Sequence, residues 1–131
     1  MLRPQAAALL IRDHRILLCL RSATRAYYPG VWDLPGGHVE PGETAAAALR
    51  RELAEELGIA AAAPTEPPFA HIVDPIRGFD LKLWRLREWQ GEPENRCPEE
   101  HETLAWLTPE QADRLPLALP EYRDLIRRAL T

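Results

Sequence analysis

Residues 36–59 read GGHVEPGETAAAALRRELAEELGI, and this stretch organises the rest of the chain. A glycine pair and a Pro41-Gly42 turn lead into a run of good helix formers from Thr44 to Leu57. Thr44 suits the N-cap and Gly58 the C′ position of that helix, which has about four turns. Ala46, Leu49, Leu53 and Leu57 fall on one stripe, which suits a buried face. Glu52, Glu55 and Glu56 fall within about 100° of one another on a separate face, with Ala45 and Ala48 beside them. Like charges at these spacings repel and weaken a helix. A cation offsets such a cluster, and hard carboxylate oxygens suit Mg²⁺ or Mn²⁺.

The spacing extends beyond the glutamates. Gly37, Glu43 and the run Arg51-Glu52-Leu53-Ala54-Glu55-Glu56-Leu57-Gly58-Ile59 match G-x5-E-x7-R-E-U-x-E-E-x-G-U at every specified position. This resembles the Nudix box. A chance match of this kind is on the order of 10⁻⁷ per chain at average residue usage. The flanking PGVWDLPGGHVEPGE (Pro29–Glu43) is similar to the segment that nucleotide-directed Nudix enzymes place before the helix.

The resemblance implies an α/β (α+β) fold, an α/β/α sandwich around a mixed central sheet. It implies hydrolysis of a diphosphate linkage with a divalent metal held by Glu52, Glu55, Glu56 and the Gly36 carbonyl. By the same resemblance Arg51 orients a catalytic glutamate, while Glu43, with Gly37 and Gly42, braces the loop. Arg51 and Glu43 are about 12 Å apart along a continuous helix, so no direct pair between them is expected from helix geometry. The general base is Glu52 or a carboxylate from the loop before the last strand. There PEEHETLAW (Pro98–Trp106) resembles a P-E-K-C-x-E-L-x-W pattern and departs from it at Glu100 and His101, leaving Glu99 and Glu102 as the expected participants.

The remainder of the chain reads as alternating short elements. Strands are expected at Gln5–Arg12, Ile16–Leu20 and Val31–Leu34, with a brief one at His38–Glu40. After the helix, Phe69–Asp74, Phe79–Trp89 and Leu104–Leu107 read as strands, separated by loops at Ala60–Pro68 and Gln90–Glu102. Thr108 with Pro109 starts a helix, and Glu121–Leu130 forms another. The order β-β-β-α-β-β-β-α-α places a mixed sheet between helices in a single domain spanning residues 1–131.

Bulk properties narrow the function classes. Hydrophobic residues make up 46% of the 131 and charged residues 27%, which is ordinary for a globular protein. A formal net charge of −4 argues against binding a nucleic-acid backbone. The apolar run Ala6–Ile11 is too short to span a membrane. Cys19 and Cys97 fit no metal spacing and read as reduced thiols of a cytoplasmic protein.

The expected activity is therefore a Mg²⁺- or Mn²⁺-dependent pyrophosphohydrolase of a nucleoside triphosphate, with an oxidised purine such as 8-oxo-dGTP favoured. ADP-ribose, other nucleotide sugars and dinucleoside polyphosphates are the alternatives, and a non-catalytic nucleotide-binding module is the rival of another class. Arg21, Tyr27, Phe79 and Asn95 are the expected substrate contacts, and a homodimer is the expected assembly.

Overall fold

The computed structural model describes residues 1–131. Its organising strand is β1 (Arg3–Arg12), whose AAALLI core alternates between two apolar clusters. Ala6, Ala8 and Leu10 face one, and Ala7, Leu9 and Ile11 face the other. Period-two alternation thus makes β1 the partition of the molecule. Asp13 and His14 both take positive φ, 53° and 58°, the two-residue turn that matches the twist of a hairpin. It leads into β2 (Arg15–Arg21), with Ile11 opposite Ile16.

β3 (Trp32–Asp33) pairs with β2, and β4 (Gly36–His38) lies antiparallel to the first half of β1. The brief strand expected at His38–Glu40 therefore sits two residues earlier. The unbranched Ala6 and Ala7 admit the glycine backbone beside them: a Cβ on Gly36 would lie 2.1 Å from the Ala6 carbonyl oxygen. Helix α1 (Ala45–Leu57) follows, capped by Thr44, whose side chain accepts the Ala47 N–H, and ended by Gly58 at φ 69°.

β5 (Ala70–Asp74) pairs antiparallel with β6 (Phe79–Leu86), which runs parallel to β1 from Arg3 opposite Phe79 to Leu10 opposite Leu86. β7 (His101–Leu107) pairs antiparallel with β2. It starts at His101, three residues before the expected Leu104, because β2 extends to Arg21 and offers backbone partners to the polar His-Glu-Thr segment. Helix α2 (Pro109–Asp113) has the expected Thr108 cap, with Gln111 completing a capping box, and α3 (Tyr122–Ala129) closes the chain.

The strands form one sheet in the order β3-β2-β1-β6-β5, with β4 added to β1 and β7 to β2. On one face Leu49, Leu53 and Leu57 of α1 pack with Ile59 and Trp84. On the other, Tyr122, Leu125, Ile126 and Ala129 of α3 pack with Leu9, Leu81 and Leu83. This is the expected α/β/α arrangement. Both cysteines are free, and no helix is long and apolar enough to cross a membrane.

Candidate active site

Where β4 meets α1, a cavity of about 530 Å³ opens between the sheet and the loop of residues 22–30. Glu52 and Glu56 line one part of it with Gly36 and Gly37, and Asp33, Phe79 and Tyr122 line another. A volume in this range suits a small-molecule ligand.

The glycines set the geometry of the carboxylates. Gly36 donates its N–H to Glu56 Oε2 at 3.1 Å, tying the turn to the last turn of α1. Gly37 has no room for a side chain, since a Cβ there would lie 2.5 Å from the Glu52 carboxyl carbon. Glu56 is 4% exposed, which is far from a solvated helix face. Burial, then the neighbouring Glu52 and Glu100 charges, push its carboxyl up to about 9. Burial also raises Glu52, against the opposing pull of Arg51.

Arg51 connects the helix to the turn before it. Its Nε and Nη2 donate to the two Glu43 oxygens at 2.9 Å each, Nη1 donates to Glu52 Oε1 at 3.0 Å and to Glu55 at 3.3 Å, and Nη2 also reaches the His38 carbonyl at 3.0 Å. The direct pair with Glu43 corrects the expectation from helix geometry. Glu43 precedes the Thr44 cap, so the helical rise does not separate it from Arg51. The pair holds the Glu43 carboxyl at about 2 and raises Arg51 further.

Glu55 stands apart from Glu52 and Glu56. Its side chain is 58% exposed, is turned to Arg51 and does not line the cavity. The loop before β7 also departs from expectation. Glu99 is exposed, and Glu102 accepts the Ala23 N–H at 3.2 Å, while neither lines the cavity. Glu100 and His101 take that place instead, with potential ligand atoms within 4.8 Å of one another and of Glu56. The departures at Glu100 and His101 are positions that reach the site. The early start of β7 turns His101 inward and leaves Glu102 outside.

Of the expected substrate contacts, Arg21, Tyr27 and Phe79 line the cavity and Asn95 does not. Asn95 donates to the His101 carbonyl at 2.7 Å and accepts the Cys97 N–H at 3.3 Å, so its amide shapes the loop. Arg21 donates to the Tyr27 and Tyr28 carbonyls and to Asp33. Asp33 and Tyr122 were not anticipated. Burial raises both acids, and Arg21 partly offsets the effect on Asp33. The signal for Asp33 was a carboxylate inside the short apolar strand Val31–Leu34, while nothing local marked Tyr122.

The donor set fits a divalent cation. Glu56 is buried and Glu52 partly so, burial penalises the charge of both, and Glu100 lies beside Glu56. The nearby His101 Nδ1 is buried with no hydrogen-bond partner. A cation offsets that penalty, and carboxylate oxygens are the donors of hard dications.

The NUDIX domain family model matches residues 1–129. The chain is 38% identical over 112 residues to a CTP pyrophosphohydrolase of Escherichia coli, covering 86% of this chain and 80% of that one. Over a shorter span, 42 residues covering 32% of this chain and 30% of the relative, it is 57% identical to the nucleoside triphosphatase NudI of an Enterobacter species. The crystal structure of a MutT NUDIX hydrolase from Burkholderia pseudomallei superposes with a TM-score of 0.78 at 32% identity, covering 100% of this chain and 99% of that one. From box to fold to relatives, this chain belongs to the Nudix family of hydrolases.

Proposed function

We propose that the protein is a Mg²⁺-dependent pyrophosphohydrolase of nucleoside triphosphates, with Mn²⁺ as a substitute. Water attacks phosphorus, one P–O bond breaks, and a nucleoside monophosphate and pyrophosphate leave. The observation that carries this reading is the single cavity that joins partly buried Glu52 and buried Glu56 to a wall of Arg21, Tyr27 and Phe79. One part offers charge chemistry to a phosphate chain, and the other offers aromatic surface and hydrogen-bonding groups to a base.

Glu52 and Glu56 would hold the cation with the Gly36 carbonyl. Bound there, it would supply charge neutralisation of the phosphates and acidify a water. The protein's own groups do the positioning. Arg51 donates to Glu52 Oε1 at 3.0 Å and so fixes the orientation of this carboxylate toward the cavity. Burial raises the Glu52 carboxyl and so strengthens it as a base. The Gly36 N–H fixes Glu56 Oε2, and the Arg51–Glu43 pair holds the turn against the helix.

Within the class, the relative named CTP pyrophosphohydrolase favours a pyrimidine triphosphate over 8-oxo-dGTP. The test is pyrophosphate release with Mg²⁺ from the common and oxidised nucleoside triphosphates, with ADP-ribose and diadenosine polyphosphates alongside. A lead for CTP or a modified pyrimidine triphosphate supports the reading. A lead for 8-oxo-dGTP keeps the class and reverses the base. Preference for ADP-ribose, or tight binding without turnover of any triphosphate, overturns it. Glu52→Gln should lower turnover by several orders of magnitude while the protein stays folded.

A further inference from the structure

His101 is a buried imidazole for which the fold supplies no hydrogen bond. It is 4% exposed, and its Nδ1 has no partner. Its Nε2 lies 3.7 Å from Glu56 Oε1, beyond hydrogen-bond distance. Buried imidazoles are almost always hydrogen-bonded, and here Nε2 instead faces a carboxylate across a gap too wide for a hydrogen bond, which leaves room for an ion between them. Glu56 cannot turn freely toward the ring, because its other oxygen accepts the Gly36 N–H. Glu100 closes the third side, restrained only loosely by Arg25 Nη1 at 3.7 Å. A gap of 3.7 Å lies within the roughly 4.2 Å that two atoms each about 2.1 Å from one ion can span.

We propose that Glu56, Glu100 and His101 form a nitrogen-containing metal subsite that takes a transition-metal dication, with Mn²⁺ as its spectroscopic probe. It rests on the reading that Glu52 and Glu56 hold a divalent cation, and it adds two ligands, Glu100 and His101, from outside the box. Mg²⁺ is bound through oxygen and water, whereas imidazole favours the transition metals. The ring therefore sets metal preference. Asn95 belongs to the same device, because its amide holds the His101 carbonyl at 2.7 Å and fixes where the ring enters the cavity.

The experiment is pulsed electron paramagnetic resonance of the full chain with about one equivalent of Mn²⁺ and no nucleotide. Directly coordinated nitrogen appears as ¹⁴N modulation, and ¹⁵N-histidine labelling of the unsubstituted protein assigns it to histidine without any mutation. The coupling should vanish in His101→Gln and persist in His38→Gln, the other histidine lining the cavity. Mn²⁺ affinity should fall at least about tenfold in His101→Gln, with Mg²⁺ affinity changed less than about twofold. No histidine coupling in the unsubstituted protein, or coupling retained in His101→Gln, overturns the proposal. The two readings fail separately: nitrogen coupling without triphosphate turnover keeps the ligand and removes the function, and turnover without coupling does the reverse.

Discussion

Gly37 and Glu52 touch so closely that a methyl group on Gly37 would lie 2.5 Å from the Glu52 carboxyl carbon. Its neighbour Gly36 is equally confined, but by backbone, with the Ala6 carbonyl 2.1 Å from its Cβ position and a φ of 152°. The two glycines of one pair therefore answer to different constraints.

Alanine at each position separates those constraints. Gly37→Ala should fold, because its obstacle is a movable side chain, and should lower kcat at least about tenfold by displacing Glu52. Gly36→Ala meets backbone and should lose about 4 kcal/mol or more of stability, in the range of severe packing clashes. Thermal melts and initial rates on both variants check this. A Gly37→Ala enzyme with unchanged kcat would show that Glu52 tolerates displacement.

Arg51→Lys tests the brace between helix and turn. Lysine keeps the charge but cannot make the paired Nε and Nη2 contacts to Glu43. We expect a lower melting temperature and a kcat reduced by about 10–100-fold, as for residues that orient metal ligands. Removing Glu43 with Glu43→Gln should reproduce much of this effect, and the double variant should cost less than the two single effects combined. Additive losses would mean that the pair does not act as a unit.

The loop before β7 separates its three glutamates. Glu100→Gln should lower kcat at least about tenfold through its place beside Glu56, while Glu99→Gln should stay within about twofold of the unsubstituted rate. Glu102→Gln weakens one hydrogen bond, to the Ala23 N–H, and should affect melting more than rate. Equal rates for all three variants would remove this loop from the mechanism.

Metal and pH are linked through Glu56. Without a cation its carboxyl is raised from 4.5 to about 9, so the folded state favours the protonated form. That contribution to stability is fully present below about pH 4.5 and is lost as pH rises through about 9. Binding a dication requires the ionised form and releases the proton. The rise in melting temperature on adding Mg²⁺ or Mn²⁺ should therefore be larger at about pH 8.5 than at about pH 6, and Glu56→Gln should flatten the difference. A metal-induced shift independent of pH would contradict this linkage.

Local rules reach far into this chain. The helix from its Thr44 cap to Gly58, the Leu49–Leu53–Leu57 stripe and the Asp13-His14 turn depend on residues within a few positions of one another, and all are written in the sequence. So is the fold class, because period-two runs around one amphipathic helix leave few ways to bury both faces of a sheet. Two of the three helix glutamates of the box, Glu52 and Glu56, line the cavity, because their spacing on one helix is independent of what packs opposite, while Glu55 turns to Arg51.

Only the tertiary structure decided which distant groups meet them. β7 starts early because β2 reaches Arg21, and that extension brings Glu100 and His101, rather than Glu99 and Glu102, beside Glu56. Asn95 turned from a base contact into a loop support for the same reason, its amide being captured by His101 and Cys97. Glu43 found Arg51 because the chain bends at Thr44, and Tyr122 reached Asp33 from the opposite end of the chain. A periodicity encodes which way a side chain faces. It does not encode the strand register or the loop closure that sets a second segment against it, and those depend on hydrogen bonds between residues far apart in sequence.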